Sequence, residues 1–194
     1  MRTILGTSLL LGVLALPLSA QSGGPVHLSV GPQVGAYVPA GDQRDELSDA
    51  VAAGALARLD INDYVGVVGS FLWSPSTADV PTLPNREQDI DLFQYDLGLE
   101  VRPFASMDAK WKVAPFVAVG GGGRTYSFRD LNYDAATDSV GFASLGSEIR
   151  LAPSMALRVE ARGYLTDFEG FAGELTDSEG RGDFAFTAGL QFRF

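Results

Sequence analysis

The chain has 194 residues and a formal net charge of −10, with 24 acidic residues against 14 Lys and Arg. This acidic balance argues against nucleic acid as a partner, because its phosphates would be repelled. The sequence contains no Cys, which excludes disulfide bonds and thiolate metal sites as the means of holding the fold together.

The N-terminal segment has the order of a secretory signal peptide. Arg2 is followed by a mostly apolar run over residues 4–16 and by a small-residue end at Ala20, which is typical of a leader that directs export. The apolar run is shorter than the ~20 residues that a membrane-spanning helix needs. We therefore predict a cleaved signal peptide over residues 1–20 and a single domain over residues 21–194.

The rest of the sequence predicts eight β-strands, because side chains alternate between an apolar face and a polar face. In chain order, the strands are predicted at residues 26–38, 53–61, 64–73, 93–102, 111–128, 143–151, 157–165 and 183–194. The connections after the second, fourth and sixth strands are short, and the others are longer. A long loop is predicted from Ser74 to about Gln88 and contains three prolines. The facing of the fifth strand, which contains four consecutive glycines from Gly120, stays open.

This alternation does not by itself show which face points outward. A lipocalin-like barrel or an immunoglobulin-like sandwich would hide the apolar face inside, whereas a barrel in the outer membrane presents it to lipid. Short and long connections alternate along the chain. This alternation and the signal peptide both favour the membrane barrel.

The last predicted strand carries the most specific pattern. Its outer face would consist of Phe184, Phe186, Ala188, Leu190, Phe192 and Phe194. The order polar-x-Gly-x-x-aromatic-x-aromatic, here Thr187, Gly189, Phe192 and Phe194, resembles the terminal strand of bacterial outer-membrane β-barrels. In that family the strand is recognised by the barrel-assembly machinery, which the resemblance therefore implies as a partner.

The mature chain as a whole is similar to the small outer-membrane barrels typified by OmpA, OmpX and OmpW. The resemblance implies an all-β fold, an eight-stranded antiparallel up-and-down transmembrane β-barrel. It also implies that outer-membrane lipid surrounds the barrel, that both termini are periplasmic and that the long loops are extracellular.

Charged residues alternate near the predicted short turns, on the face opposite the apolar side chains. They are Arg58, Asp60, Glu100, Arg102, Glu148, Arg150, Arg158, Glu160 and Arg162. An unpaired charge in a confined interior would be costly, so we predict that they pair across the lumen and plug it. The plug would be either a gate or a satisfied polar core. Small inner-face residues would leave a wet cavity above it: Gly31, Gly35, Gly98, Gly146 and Gly189.

The predicted surface loops hold most of the acidity. Residues 39–50, 74–91, 129–138 and 167–183 together contain seventeen acids and four Arg, a net charge of −13. Such loops either keep the surface solvated or bind divalent cations, because hard cations prefer carboxylate oxygen.

One loop partly matches a calcium site. Asp130, Asn132 and Asp134 occupy the first, third and fifth positions of a calcium-binding loop, with Asp138 at the ninth. The required Gly is replaced by Ala135, and a Gly stands where the bidentate Glu belongs. No other cofactor is predicted.

We expect a non-enzymatic barrel with a structural or surface-interaction role, whose acidic loops meet a surface ligand. The alternative is a narrow channel, or an OmpW-like passage for small ions or hydrophobic molecules. An enzyme is the third hypothesis. It would rest on His27, the only candidate base in a chain with one His and no Cys, and on its neighbour Ser29.

Overall fold

The computed structural model describes residues 27–40, 44, 47–79, 87–104, 112–129, 135–166 and 181–194. These residues form eight strands: β1 Leu28–Pro39, β2 Ala50–Asp60, β3 Val65–Asp79, β4 Glu87–Val101, β5 Val113–Phe128, β6 Ala136–Ala152, β7 Met155–Thr166 and β8 Arg181–Arg193. All neighbouring strands are antiparallel, and β8 pairs with β1 to close the barrel. The predicted fold class is confirmed. The predicted signal peptide lies outside the described residues.

The two ends of the barrel are named after the connections predicted at them, although the connection 102–112 is longer than 80–86 or 129–135. The short-turn end, as we call it, is where β1 begins and β8 ends, and it carries the connections 61–64, 102–112 and 153–154. The first of these turns is closed by Asn62, whose Oδ1 accepts the backbone N–H groups of Tyr64 and Val65 at 2.8 and 2.9 Å. The long-loop end carries the connections 40–49, 80–86, 129–135 and 167–180. In the described part of the chain, no helix is long and apolar enough to cross a membrane.

Apolar side chains point away from the lumen. Leu97, Leu145 and Leu165 are 65, 65 and 69% exposed, whereas charged residues on the opposite face are buried. A soluble barrel would have the reverse arrangement, so the lipocalin-like and sandwich alternatives are wrong. Exposed aromatic side chains gather toward both rims, as in the girdles of membrane barrels. They are Phe71, Trp73, Tyr95 and Phe184 toward the long-loop end, and Tyr64, Phe104, Phe192 and Phe194 toward the short-turn end, while the exposed Phe186 lies between the two groups.

The predicted loop from Ser74 to Gln88 is wrong over most of its length. β3 and β4 continue as a paired ribbon to Asp79↔Glu87, and Pro75 lies within β3. The pairing of β2 with β3 ends at Trp73, so Pro75 has no β2 partner. A proline costs little at such an edge, because its missing N–H would have had no strand to bond.

Two phenylalanine rings fill the space beside the inner-face glycines. A Cβ on Gly98 would lie 2.6 Å from Cζ of Phe142, and a Cβ on Gly146 would overlap Phe116. The other three glycines of this set, Gly31, Gly35 and Gly189, allow close approach of β1 and β8, because a Cβ there would meet the partner's backbone. The prediction of a wet cavity is therefore wrong at these positions, because neighbouring atoms occupy the space.

Replacing Gly120 by Ala is expected to lower the free energy of unfolding by about 1–3 kcal/mol, since the added methyl overpacks a filled lumen. Its Cβ would lie 2.6 Å from Cε1 of Phe142 and 2.5 Å from Cα of Gly98. Gly141→Ala is the matched control, because a Cβ there would meet only the carbonyl oxygen of Leu165 at 4.0 Å. Urea unfolding of both variants in lipid vesicles measures the difference. Equal stabilities would contradict the prediction.

Candidate functional site

The charged residues predicted near the short turns meet in the lumen, because side chains two residues apart in a strand share one face. We call this cluster the charge plug. It comprises Arg58, Asp60, Asp96, Glu100, Arg102, Glu148, Arg158, Glu160 and Arg162, all of them buried. They come from β2, β4, β6 and β7 and from the residue that follows β4, so the plug spans the barrel.

Glu100 is the centre of the charge plug. Its Oε1 lies 2.9 Å from Nε of Arg58 and 3.1 Å from Nε of Arg102, and its Oε2 lies 2.8 Å from Nη1 of Arg158. Glu148 is held in the same way, at 2.6 Å from Arg102 and 3.2 Å from Arg158. Each of these buried carboxylates therefore has at least two cationic partners.

Glu160 joins two arginines of its own strand. Arg158 donates to one carboxylate oxygen at 2.8 and 2.9 Å, and Arg162 donates to the other at 2.7 and 2.9 Å. Arg162 also reaches across the lumen to Asp96 at 2.7 Å and to the hydroxyl of Ser70 at 2.6 Å. Asp96 and Ser70 were not among the predicted site residues.

The charges of the plug nearly balance. Five carboxylates face four arginines, and Arg193 lies at the rim with Nη2 3.9 Å from Oδ2 of Asp60. A buried ion pair gives little net stabilisation relative to apolar packing, but an unpaired buried charge is strongly destabilising. The balance therefore makes a closed polar core tolerable.

The prediction for Arg150 needs correction. Its side chain is exposed and lies outside the charge plug. The pairing of β6 with β7 shifts register between Arg150 and Ala152, so the end of β6 departs from regular alternation where the lumen meets solvent.

A second polar cluster lies nearer the long-loop end, and it was not predicted from the sequence. We call it the Arg124 cluster, formed by Arg124, Asp183, Tyr37 and Gln94. Arg124 and Asp183 are both 0% exposed and form an ion pair. The guanidinium also donates to Gln94 Oε1 at 2.7 Å and to the hydroxyl of Tyr37 at 3.0 Å. Asp183, which was counted with the acids of the last loop and is also the first residue of the last predicted strand, is therefore a lumen residue.

Aromatic rings connect the two polar clusters. The guanidinium of Arg158 lies 3.7 Å from the ring centre of Phe116, and that of Arg162 lies 4.3 Å from Phe142. Phe142 packs against Tyr164, with ring centres 6.4 Å apart, and Arg124 lies 5.1 Å from Tyr164. Stacking of this kind is favourable when the cation is desolvated. Alternating guanidinium groups and rings thus fill the lumen between the clusters.

An apolar cap covers the lumen at the long-loop end. It is formed by Tyr37, Leu47, Ala50, Ala78, Ile90, Leu92 and Tyr126, all buried. Leu47 comes from the connection between β1 and β2 and is held by a bridge to Ala78 and a backbone hydrogen bond from Ser48 to Thr77 at 3.1 Å. The described lumen is therefore occupied at both ends.

The partial calcium motif falls largely outside the described residues, which exclude Asp130, Asn132 and Asp134. Its ninth and twelfth positions, Asp138 and Gly141, lie in β6 and pair with β5. A calcium-binding loop would have to wrap these positions around the ion. Among the residues that the structure describes, no three His, Asp or Glu side chains form a group that could hold a metal.

The remaining predicted residues lie at the short-turn end or in β8. Thr187 and Gly189 lie on the inner face of β8, while Phe192 and Phe194 are 40 and 60% exposed on its outer face. His27 is exposed just before β1, and its carbonyl accepts the N–H of Asp60 at 2.9 Å.

Comparison with known proteins agrees with this architecture. The model of a family described as outer membrane protein beta-barrel domain matches residues 8–194. No similarity to a curated protein was found by sequence search.

Several solved structures share the fold. OprG of Pseudomonas aeruginosa superposes with a TM-score of 0.62 at 14% identity, covering 87% of this chain and 95% of OprG. Neisserial surface protein A gives 0.58 at 13% identity, covering 87% and 97%. Ail of Yersinia pestis, solved with the heparin analogue sucrose octasulfate, gives 0.52 at 13% identity, also covering 87% and 97%. At such low identity these similarities concern the fold alone.

Proposed function

Because this chain belongs to the outer membrane protein β-barrel domain family, we propose that it is a non-enzymatic barrel with a closed lumen. Its termini are periplasmic and its long loops extracellular. Its role is structural or depends on interactions of its outer surface and loops. The observation that carries this proposal is the filled interior, from the charge plug through the aromatic rings to the apolar cap.

An eight-stranded barrel is narrow enough for side chains alone to fill its interior, and these dimensions favour a closed lumen. Passage of an ion would require several arginine–carboxylate contacts to separate at once, and each buried charge left unpaired costs several kcal/mol. A hydrophobic solute entering from the long-loop end would meet the apolar cap and then the buried Arg124–Asp183 pair. Both forms of the transport alternative are therefore disfavoured.

The loops point to cationic rather than anionic partners. The predicted loop segments are strongly acidic even without Asp183, which lies in the lumen. Ail was solved with a sulfated heparin analogue, but a sulfated ligand would be repelled by loops of this sign. We therefore propose divalent cations, which could bridge loop carboxylates to anionic lipid headgroups, as the surface ligands. For insertion into the membrane, Thr187, Gly189, Phe192 and Phe194 are the proposed signal to the assembly machinery.

The refolded wild-type barrel is expected to give no discrete conductance steps in a planar bilayer. The measurement compares it with Arg158→Ala/Arg162→Ala, which removes two cations from the charge plug. Insertion is verified for both proteins by flotation with vesicles. Reproducible steps from the inserted wild-type protein that change in the double variant would contradict a closed lumen and establish the channel alternative.

A further inference from the structure

A small pocket opens beside the charge plug at the short-turn end, and basic side chains surround it. Its volume is about 30 Å³, and its walls include Arg102, Lys112, Glu148, Arg150, Gln191 and Arg193. At roughly 10–15 Å³ for each water-sized group, this space admits two or three such groups.

The pocket has an excess of positive charge. Four cationic side chains face a single carboxylate, Glu148, which is already paired with Arg102 at 2.6 Å and with Arg158 at 3.2 Å. When Arg193 is included, the positive and negative charges of the charge plug are equal in number. Lys112 and Arg150 are therefore additional cations in this region. Clustered charges of one sign at a concave mouth raise the local concentration of the opposite ion.

A buried amide points to a bound group in the same pocket. Gln191 is only 3% exposed, yet neither its Nε2 nor its Oε1 has a hydrogen-bond partner within the described part of the chain. Buried polar groups are normally satisfied, and one left unpaired is destabilising. The amide N–H groups could donate to an anion, and the hydroxyl of Ser29, which is also buried in this wall, offers another donor.

We propose that this pocket binds a small oxyanion with phosphate chemistry. Arg150 and Lys112 would supply charge-assisted contacts, and Gln191 would fix the orientation of the anion. The site lies near the rim marked by the exposed Phe192 and Phe194, so the phosphate could be a free ion or the headgroup of a lipid in the adjacent leaflet. The site does not depend on whether the lumen conducts.

The test is a calorimetric titration, which measures binding of an anion to the refolded chain in an uncharged detergent. One series uses inorganic phosphate and the other uses dihexanoylphosphatidic acid below its micellar concentration. Gln191→Glu places a negative charge in the pocket, and Arg150→Gln removes an exposed cation without touching the plug. Each change is expected to weaken binding by about tenfold, the effect of losing one charge-assisted hydrogen bond. Arg44→Gln, an exposed site at the opposite end, is the charge-matched control and should leave the affinity unchanged.

The two series separate the sources of the anion. If inorganic phosphate binds and both pocket variants weaken this binding, the result supports a free oxyanion as the ligand. If only the short-chain lipid binds and both variants weaken its binding, the result supports a lipid headgroup as the ligand. Absence of binding in both series would overturn the proposal, as would equal weakening by Arg44→Gln and Arg150→Gln, because that result indicates diffuse attraction. If Gln191→Glu does not refold, Arg150→Gln still decides, since its side chain is exposed.

Discussion

Replacing Arg158 by Met is expected to lower the free energy of unfolding by about 3–5 kcal/mol, the usual effect of removing one partner from a buried ion pair. Arg158 is 2% exposed, and its guanidinium lies 2.8 Å from Glu100, 3.2 Å from Glu148 and 2.8 Å from Glu160. Met can replace the aliphatic stem, but it leaves these carboxylates with one cation fewer. Their mutual repulsion would then destabilise the folded barrel.

The control for this experiment is Arg44→Met, which makes the same chemical change at an exposed arginine in the connection between β1 and β2. Because Arg44 lies outside both the charge plug and the pocket at the short-turn end, the change should stay within about 0.5 kcal/mol of wild type. Urea unfolding in vesicles, followed by tryptophan fluorescence, measures both variants. If Arg158→Met were no more destabilising than Arg44→Met, the charge plug could not be a major contributor to stability.

Arg158→Lys separates charge from geometry. Lys keeps the positive charge but cannot make the forked contacts to Glu160 or stack as a plane on Phe116, whose ring centre lies 3.7 Å from the guanidinium. Its stability is therefore expected to fall between those of wild type and Arg158→Met.

Strand periodicity was sufficient to predict much of this molecule. The alternation of Leu97 and Leu99 with Asp96 and Glu100 identifies a two-faced strand, and the structure places the apolar pair outside. The members of the charge plug other than Asp96 were predicted because they lie at two-residue spacing beside short turns, which places them at one end of the barrel. The direction of the faces required further information, since a period of two is the same for a soluble and a membrane barrel. Periodicity also did not predict that β3 and β4 extend to Asp79 and Glu87, or that Arg150 is exposed.

The Arg124 cluster was not predictable by the same reasoning. Arg124 follows four glycines, which have no side chains to mark a face. Asp183 is the first residue of the last predicted strand, but it was also counted with the acids of the loop 167–183, so no partner was assigned to it. The two residues are 59 positions apart, and they meet only because strands β5 and β8 face each other across a closed barrel. The sequence pattern of a single strand holds no information on such cross-lumen distances.

Arg124→Met is expected to destabilise the barrel by about 3–5 kcal/mol, because Asp183 would be left as a buried carboxylate without its cation. Asp183→Leu should have a similar effect, because Arg124 would then be the buried charge without a partner. Both side chains are 0% exposed, so water cannot compensate the remaining charge in either single variant.

Combining the two changes should recover most of the loss, since a buried ion pair can often be replaced by apolar residues of similar volume. Met suits the site, because Arg124 lies 5.1 Å from the ring centres of both Tyr37 and Tyr164, and a thioether packs favourably between rings. Urea unfolding of wild type, both single variants and the double variant gives the coupling energy. A double variant as unstable as the sum of the singles would mean that Arg124 stabilises the lumen through Gln94 and Tyr37, and that Asp183 is not its essential partner.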